Sequence, residues 1–228
     1  MKPAWTQRCS KALTLSYDDG VESDVRLLEI LRKYGVKCTF NLNSGLDHQS
    51  VWEHHGYTVR RMDLEESVPL YAGHEIAVHG KFHRHPTELD SLQLHEEYAD
   101  DIARLTELCG TAPVGMAYAY GDFSDTIVEK LASLGLRYGR TTWQNHDFSL
   151  QSDLLRFRPT CHHNDPELFD LIERFLALPD DGTPQIFYLW GHAYEFDSDH
   201  NWDILERALD RLAGRPDVFY GTNSEVLL

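Results

Sequence analysis

The 228-residue sequence predicts one α/β domain, in which about eight parallel strands form a barrel or a partly closed barrel. Short apolar runs alternate with segments of helical period along almost the whole chain, a pattern that implies βαβ crossovers and parallel pairing. No sequence repeat, low-complexity tract or flexible linker divides the chain, so a single domain over residues 1–228 is expected. An open doubly wound sheet is the alternative architecture.

The predicted strands are short, β-favouring runs that mostly end at glycine or at polar side chains. They cover residues 12–17, 38–42, 75–79, 114–119, 137–142, 154–159, 185–190 and 218–221. Helices are predicted between them at residues 24–34, 90–109, 126–134, 166–178 and 202–212. Asp24 is expected to cap the first helix. Residues 43–73 are predicted to form a long loop over one rim, with a short helix after Asp63.

The composition excludes several classes of partner. The formal net charge is -16, and no run of Lys and Arg offsets it, so nucleic acid and anionic membranes are not expected partners. Four cysteines without a Cys-x-x-Cys pair exclude a zinc ribbon and predict reduced thiols. Without an apolar leader or a run long enough to span a membrane, a cytoplasmic protein is expected. The oligomeric state is left open.

Two adjacent carboxylates, Asp18 and Asp19, follow the first predicted strand and precede Gly20. Functional groups of parallel α/β proteins gather beyond the C-terminal ends of the strands, where the loops meet. Neighbouring carboxylates are favourable there when a turn directs both toward a metal ion. The alternative is an ordinary solvated Asp-Asp-Gly turn.

Histidines follow two other predicted strands. His79 and His83 have i,i+4 spacing, which in a helical turn places two imidazoles within reach of one zinc-sized ion. Together with one aspartate they form a three-ligand set that leaves a position for water and substrate, as in catalytic sites. The second aspartate is then available as a general base, and His192 as the acid that protonates a leaving amine. The alternatives are solvated histidines at 79 and 83 and a hydrogen-bonded core histidine at 192.

These motifs, in this order, resemble the polysaccharide deacetylase family, also called the NodB-homology group or carbohydrate esterase family 4. Residues 16–20 resemble its first motif, which implies that Asp18 is the general base and Asp19 a metal ligand. Residues 79–83 resemble the second motif and imply that His79 and His83 bind the metal. Arg84 and His85 here intervene before the proline that normally follows, so His85 is an alternative to His83.

The fifth motif resembles residues 188–192 and implies that His192 is the general acid, whereas the third and fourth motifs depart from the family. Residues 117–121 lack the arginine that orients the base, so Arg140 or Arg158 is a candidate replacement. Tyr120 remains a candidate backbone donor to an oxyanion hole. The fourth motif has no clear match apart from Asp153.

The resemblance implies a distorted (β/α) barrel related to the TIM barrel and one divalent metal ion, zinc first, with cobalt or nickel as alternatives. It implies a hydrolase that removes an acetyl group from an N-acetylated sugar or a small amide, and therefore an oligosaccharide or small-molecule substrate. A hydrolase of linear or cyclic amides such as imides and ureides, and a non-catalytic barrel that retains metal, are the alternatives. His162 and His163, typical of a short intracellular branch, are candidate substrate residues. Trp143, Trp190, Tyr194 and Trp202 could stack on sugars at the rim, and core packing is the alternative role for most of them.

Overall fold

The computed structural model describes residues 3–46 and 50–228 and contains a curled, parallel sheet surrounded by helices. The predicted distorted (β/α) barrel is therefore confirmed. Its eight strands are β1 (Lys11–Asp18), β2 (Thr39–Leu42), β5 (Glu75–Val78), β6 (Gly115–Ala117), β7 (Tyr138–Arg140), β8 (Cys161–His162), β9 (Gln185–His192) and β10 (Val218–Tyr220). The strand order is β7-β6-β5-β2-β1-β9-β8, and β10 pairs with the beginning of β1.

The helices follow the strands, as parallel crossovers require. They are α1 (Asp24–Tyr34), α2 (Leu64–Ser67), α3 (Ser91–Cys109), α4 (Asp125–Ser133), α5 (Leu168–Leu176), α6 (Ala193–Ser198), α7 (Trp202–Leu212) and α8 (Asn223–Leu227). The expected cap at Asp24 is wrong, because Asp24 is the first residue of α1 and is fully buried, where its carboxylate accepts a hydrogen bond from the Tyr71 hydroxyl. Burial raises the pKa of Asp24 to about 8.

The longest contact in the sheet joins β1 to β9 over eight residue pairs, from Lys11 opposite Gln185 to Asp18 opposite His192. Every residue of β1 is buried, as is typical of a central parallel strand covered on both faces. The register therefore places Asp18 and His192, which lie far apart in sequence, side by side at the same edge of the sheet.

Two predicted segments differ from the structure. The predicted loop 43–73 contains an antiparallel hairpin of β3 (Val51–His54) and β4 (Tyr57–Arg60). The predicted strand 154–159 is wrong: its first residues form a 3-10 turn, and its pairing with β7 is a single bridge between Arg140 and Phe157. Pro159 has no N–H to extend that pairing, and the strand forms instead at Cys161.

The state of the cysteines and the presence of membrane-spanning helices can be compared with the structure. All four cysteines are described and are free, as the sequence predicts. Among the residues that the structure describes, no helix has both the length and the apolar character to cross a bilayer.

Leu105 and Leu92 provide a matched test of the core, because both lie on α3 but only Leu105 is buried. Leu105→Ala is expected to lower the free energy of unfolding by about 2–5 kcal/mol, since it leaves a cavity in the core. Leu92 is 79% exposed, so Leu92→Ala is expected to change the free energy of unfolding by less than about 0.5 kcal/mol. Urea unfolding of both variants measures the difference, and equal losses would contradict this packing.

Candidate active site

The turn after β1 directs Asp18 and Asp19 toward the same space. Side chains of consecutive strand residues point to opposite faces, but Asp19 has a φ of +83° and Gly20 a φ of +66°, so the chain leaves the strand geometry at once. Position 20 favours glycine for its positive φ and also for lack of space, because a Cβ there would lie 2.9 Å from the Leu42 side chain. Both carboxylates are buried.

Asp18 is held by Arg140 and Asn41. The Arg140 guanidinium, fully buried at the end of β7, donates to Oδ2 of Asp18, and the Asn41 side-chain amide donates to Oδ1 over 2.8 Å. Burial alone would raise the pKa of Asp18, but the charge of Arg140, with those of His79 and His192, lowers it. Of the two arginines that the sequence offered, Arg140 therefore contacts the aspartate, whereas Arg158 is exposed and bonds to the Trp143 carbonyl.

Asp19 is paired with Arg61, which follows β4. The guanidinium donates to Oδ1 of Asp19 over 2.6 Å and lies 4.6 Å from the ring centroid of Trp52. Burial would raise the pKa of Asp19, but the charges of Arg61 and His83 outweigh it and lower the pKa. Asp19 is therefore ionised, as a metal ligand must be.

His79, His83 and Asp19 form a ligand set that fits a divalent ion. Nε2 of His79 lies 4.0 Å and Nε2 of His83 3.7 Å from Oδ1 of Asp19. Ligand atoms at about 2.0–2.1 Å from a tetrahedral ion are about 3.4 Å apart, so both separations lie within about 0.6 Å of that spacing. Nδ1 of His79 donates to the Ala117 carbonyl over 2.9 Å, which leaves Nε2 with a lone pair. That Nε2 is buried and has no hydrogen-bond partner among the described residues.

The segment between the two histidines is a loop, not the helical turn that the spacing suggested. Gly80 in this segment and His83 at its end both have left-handed backbone conformations. Burial, together with the charge of His79, lowers the pKa of His83 to about 4, so its imidazole is neutral at physiological pH. His85, the alternative ligand, instead bonds to Asp122 over 2.5 Å and stacks on the Tyr120 ring.

His192 lies on the other side of Asp18, with Nε2 3.8 Å from Oδ2. Its Nδ1 faces Oε2 of Glu195 at 3.3 Å, and its backbone N–H donates to the same oxygen over 3.1 Å. Burial by itself would lower the pKa of His192, but the bond to Glu195 and the charges of Glu195, Asp18 and Asp19 raise it to about 9. Asp153, the sequence candidate for this region, is exposed and pairs with Arg156.

His162 and His163 surround the same carboxylate. Their Nε2 atoms lie 3.0 and 3.3 Å from Oε2 of Glu195, and the three side chains form a second group with ligand-like spacing. The Asn164 backbone N–H donates to Nδ1 of His162, so the proton of the neutral ring is on Nε2 and points at Glu195. In this tautomer His162 has no free lone pair for a metal, whereas both ring nitrogens of His163 are buried without a hydrogen-bond partner among the described residues.

A cavity of about 650 Å³ opens above the carboxylates. Its walls combine the five predicted catalytic and metal-binding residues with an arginine and several aromatic side chains: Asp18, Asp19, His79, His83, His192, Arg61, Trp52, Tyr120, Trp190 and Tyr194. Trp143 and Trp202 are not among the lining residues; Trp143 packs on Phe123, and Trp202 is buried against Phe196. The size suits a sugar unit or another small molecule.

Two functional side chains were missed from the sequence. Arg61 lies in the region taken as an irregular loop, so no signal connected it to Asp19. Glu195 follows His192 by three residues at the start of α6, where a glutamate that bonds back to the N-cap residue is a known helix-start pattern. That spacing could have identified it.

The fold and the site therefore define a distorted (β/α) barrel in which two histidines and an aspartate at the strand ends form a candidate metal-binding group. Residues 6–139, more than half of the chain, match the polysaccharide deacetylase family. The protein therefore belongs to that family. A peptidoglycan deacetylase of Helicobacter pylori is 25% identical over 124 residues, 54% of this chain and 38% of the relative. The alignment thus spans less than half of that longer protein.

Solved structures are similar over nearly the whole chain. A family 4 carbohydrate esterase from Streptomyces lividans, in complex with acetate, has a TM-score of 0.61 at 19% identity and covers 95% of both chains. The Puue allantoinase has a TM-score of 0.70 at 16% identity, over 100% of this chain and 92% of that chain. At these identities the likeness shows the shared fold.

The Glu195→Gln variant tests the cause of the raised pKa of His192. In the metal-free wild type, NMR titration of the His192 ring is expected to give a pKa of about 9, and the variant a clearly lower value. Glu173→Gln, an exposed change on α5, is the matched control. Because folding raises the pKa of His192, the protonated ring stabilises the folded protein. This contribution is complete below about pH 6.5 and is lost as the pH rises through about 9. Equal His192 titrations in all three proteins would contradict this account.

Proposed function

We propose that the protein is a metal-dependent hydrolase that removes an acetyl group from an N-acetylated amino sugar. The observation that carries the proposal is that one oxygen of Asp18 is close both to the His79–His83–Asp19 group and to His192. Oδ2 of Asp18 is 3.8 Å from Nε2 of both His79 and His192. A base and an acid thus flank the same part of the cavity, as hydrolysis of an amide requires.

His79, His83 and Asp19 are proposed to hold the ion, zinc first, with cobalt or nickel as alternatives. When bound, a divalent ion polarises a carbonyl and lowers the pKa of water. The donor set, the neutral imidazole of His83 and the unpartnered Nε2 of His79 support this assignment.

Asp18 is the proposed general base. Arg140 and Asn41 fix its carboxylate, and its lowered pKa keeps it ionised and able to accept a proton from the attacking water. Water adds to the acetyl carbonyl carbon while this proton goes to Oδ2. Arg140 also stacks on the Trp190 ring, with its guanidinium carbon 4.3 Å from the ring centroid, so its position is fixed from two directions.

His192 is the proposed general acid. With a pKa of about 9 it is protonated at neutral pH. Its Nδ1 lies 3.3 Å from Oε2 of Glu195, and the ring lines the cavity with Nε2 3.8 Å from Oδ2 of Asp18. It donates to the sugar nitrogen as the C–N bond breaks, which leaves acetate and a free amine. His162 and His163 act on His192 through Glu195 in this proposal, in place of the direct substrate contact predicted from the sequence.

Tyr120 and the aromatic side chains Trp52, Trp190 and Tyr194 are proposed to form the sugar-binding wall. Tyr120 has a φ of +58°, is 54% exposed and lines the cavity next to His83. A backbone donor at this point remains the candidate for an oxyanion hole. The carbohydrate esterase and peptidoglycan deacetylase relatives support an acetylated sugar as substrate.

A second candidate is the hydrolysis of a non-sugar amide of the ureide or imide type. Trp52 of the β3–β4 hairpin and Arg61, which follows β4, line one side of the cavity, and an arginine can donate to the carbonyl oxygens of a small amide. The similarity to an allantoinase over the full length of this chain adds support.

The two candidates are separated by the products released. Acetate release from N-acetylglucosamine oligosaccharides that stops with a chelator is expected if the first proposal holds. Chelator-sensitive turnover of a ureide or cyclic imide without acetate release would favour the second candidate. No turnover of either class by the zinc-loaded protein would overturn both and leave a ligand-binding barrel.

Asp18→Asn is expected to lower kcat by roughly 10²- to 10⁴-fold, because an amide cannot take the proton, while bound zinc stays near one per chain. Asp153→Asn is the matched control and is expected to keep full activity, since Asp153 is exposed and remote from the cavity. Acetate release and metal content are measured for both. Loss of zinc from Asp18→Asn with retention by Asp19→Asn would reverse the proposed roles.

A further inference from the structure

The segment between the two histidine ligands depends on contacts to hold its shape. Gly80 and His83 both have left-handed φ values, +81° and +53°, and His83 is a residue for which this region costs free energy. Arg84 and His85 separate His83 from Pro86, so no proline ring restricts the backbone next to the ligand. Interactions elsewhere must therefore fix the position of His83.

Glu97 of α3 supplies those interactions. Its side chain is fully buried, and Oε1 accepts from the backbone N–H groups of Phe82 over 3.1 Å and Arg84 over 3.0 Å. These are the residues immediately before and after His83. The Glu97 backbone carbonyl also accepts from the N–H of Lys81 over 2.8 Å. One residue thus binds three of the amides around the second ligand.

Arg84 completes the arrangement. Its Nε donates to Oε2 of Glu97 over 2.6 Å, its NH2 group to Glu96 over 3.0 Å, and its guanidinium lies 5.0 Å from the ring centroid of Phe82. A buried carboxylate requires such a charge partner. Gly80 allows the close approach, because a Cβ there would lie 2.6 Å from Oε1 of Glu97.

We propose that the Arg84–Glu97 pair is the positioning device for the second metal ligand: it fixes the backbone on both sides of His83 so that Nε2 faces Asp19. Neither side chain contacts the cavity, so neither is a catalytic residue. The pair acts as an outer support for the ligand, of the kind that sets metal affinity in many sites. This inference rests on the metal site of the proposed function.

The experiment measures zinc binding and loop order without substrate. Metal-free protein is titrated with Zn²⁺ in competition with a chromophoric chelator. Arg84→Ala removes a partly exposed side chain, and Glu97→Gln keeps an acceptor for the two amides but removes the charge. Both variants are expected to lower zinc affinity about 10- to 100-fold. Arg104→Ala removes an exposed arginine from α3 itself and is expected to stay within about twofold of wild type.

Hydrogen exchange of the metal-free proteins is the second readout. The amides of residues 81–84 are expected to exchange faster in both test variants than in wild type and Arg104→Ala, while urea unfolding stays similar across the folded set. Unchanged exchange together with unchanged zinc affinity would overturn the proposal. An equal loss of zinc affinity in Arg104→Ala would also overturn the proposal, because the loss would then follow from removing any arginine near α3 and not from the Arg84–Glu97 pair. If wild type binds zinc as expected and releases no acetate, the proposed reaction fails while the positioning role stands.

Discussion

Two adjacent buried carboxylates, Asp18 and Asp19, are the constraint on which the site depends. Buried charges are costly unless they are paired, and two neighbouring negative charges also repel each other. The fold supplies a separate buried guanidinium for each: Arg140 at the end of β7 contacts Asp18, and Arg61 after β4 contacts Asp19. The curl of the parallel sheet brings Arg140 of β7 to Asp18 of β1, whereas Arg61 comes from the end of the separate β3–β4 hairpin.

The two arginines also make the aspartates different. Asp18 is fixed between Arg140 and Asn41 and faces His192, whereas Asp19 shares one oxygen between Arg61 and the two imidazoles. A carboxylate that is already paired with a cation offers less negative charge to a metal ion, so the affinity depends more on the positions of the histidines. The contacts that fix His83 therefore matter more here than in a site with several free carboxylates.

Much of this arrangement could be predicted from the sequence, because parallel strands bring their C-terminal ends together and the polar residues stand directly after them. The hairpin was missed although His55 and Gly56, both with positive φ, form the kind of two-residue turn that joins antiparallel strands. In β3 the apolar Val51 is exposed and Trp52 is half-buried, so hydrophobicity does not alternate along this strand although burial does. Arg61 was missed because it acts through a contact between separate elements, and such contacts depend on the three-dimensional packing. Glu195 was overlooked although its three-residue spacing from His192 is a local signal. The sequence offered Arg140 and Arg158 as replacements for the absent third-motif arginine, and only the position of Arg140 at the end of β7 distinguishes them.

The most direct test of the account is anomalous diffraction at the zinc edge from crystals of the zinc-loaded protein. One peak is expected within about 2.0–2.2 Å of Nε2 of His79, Nε2 of His83 and a carboxylate oxygen of Asp19, with Arg140 still bound to Asp18. A peak surrounded by His162, His163 and Glu195, or one that lacks His83 and Asp19, would contradict the account.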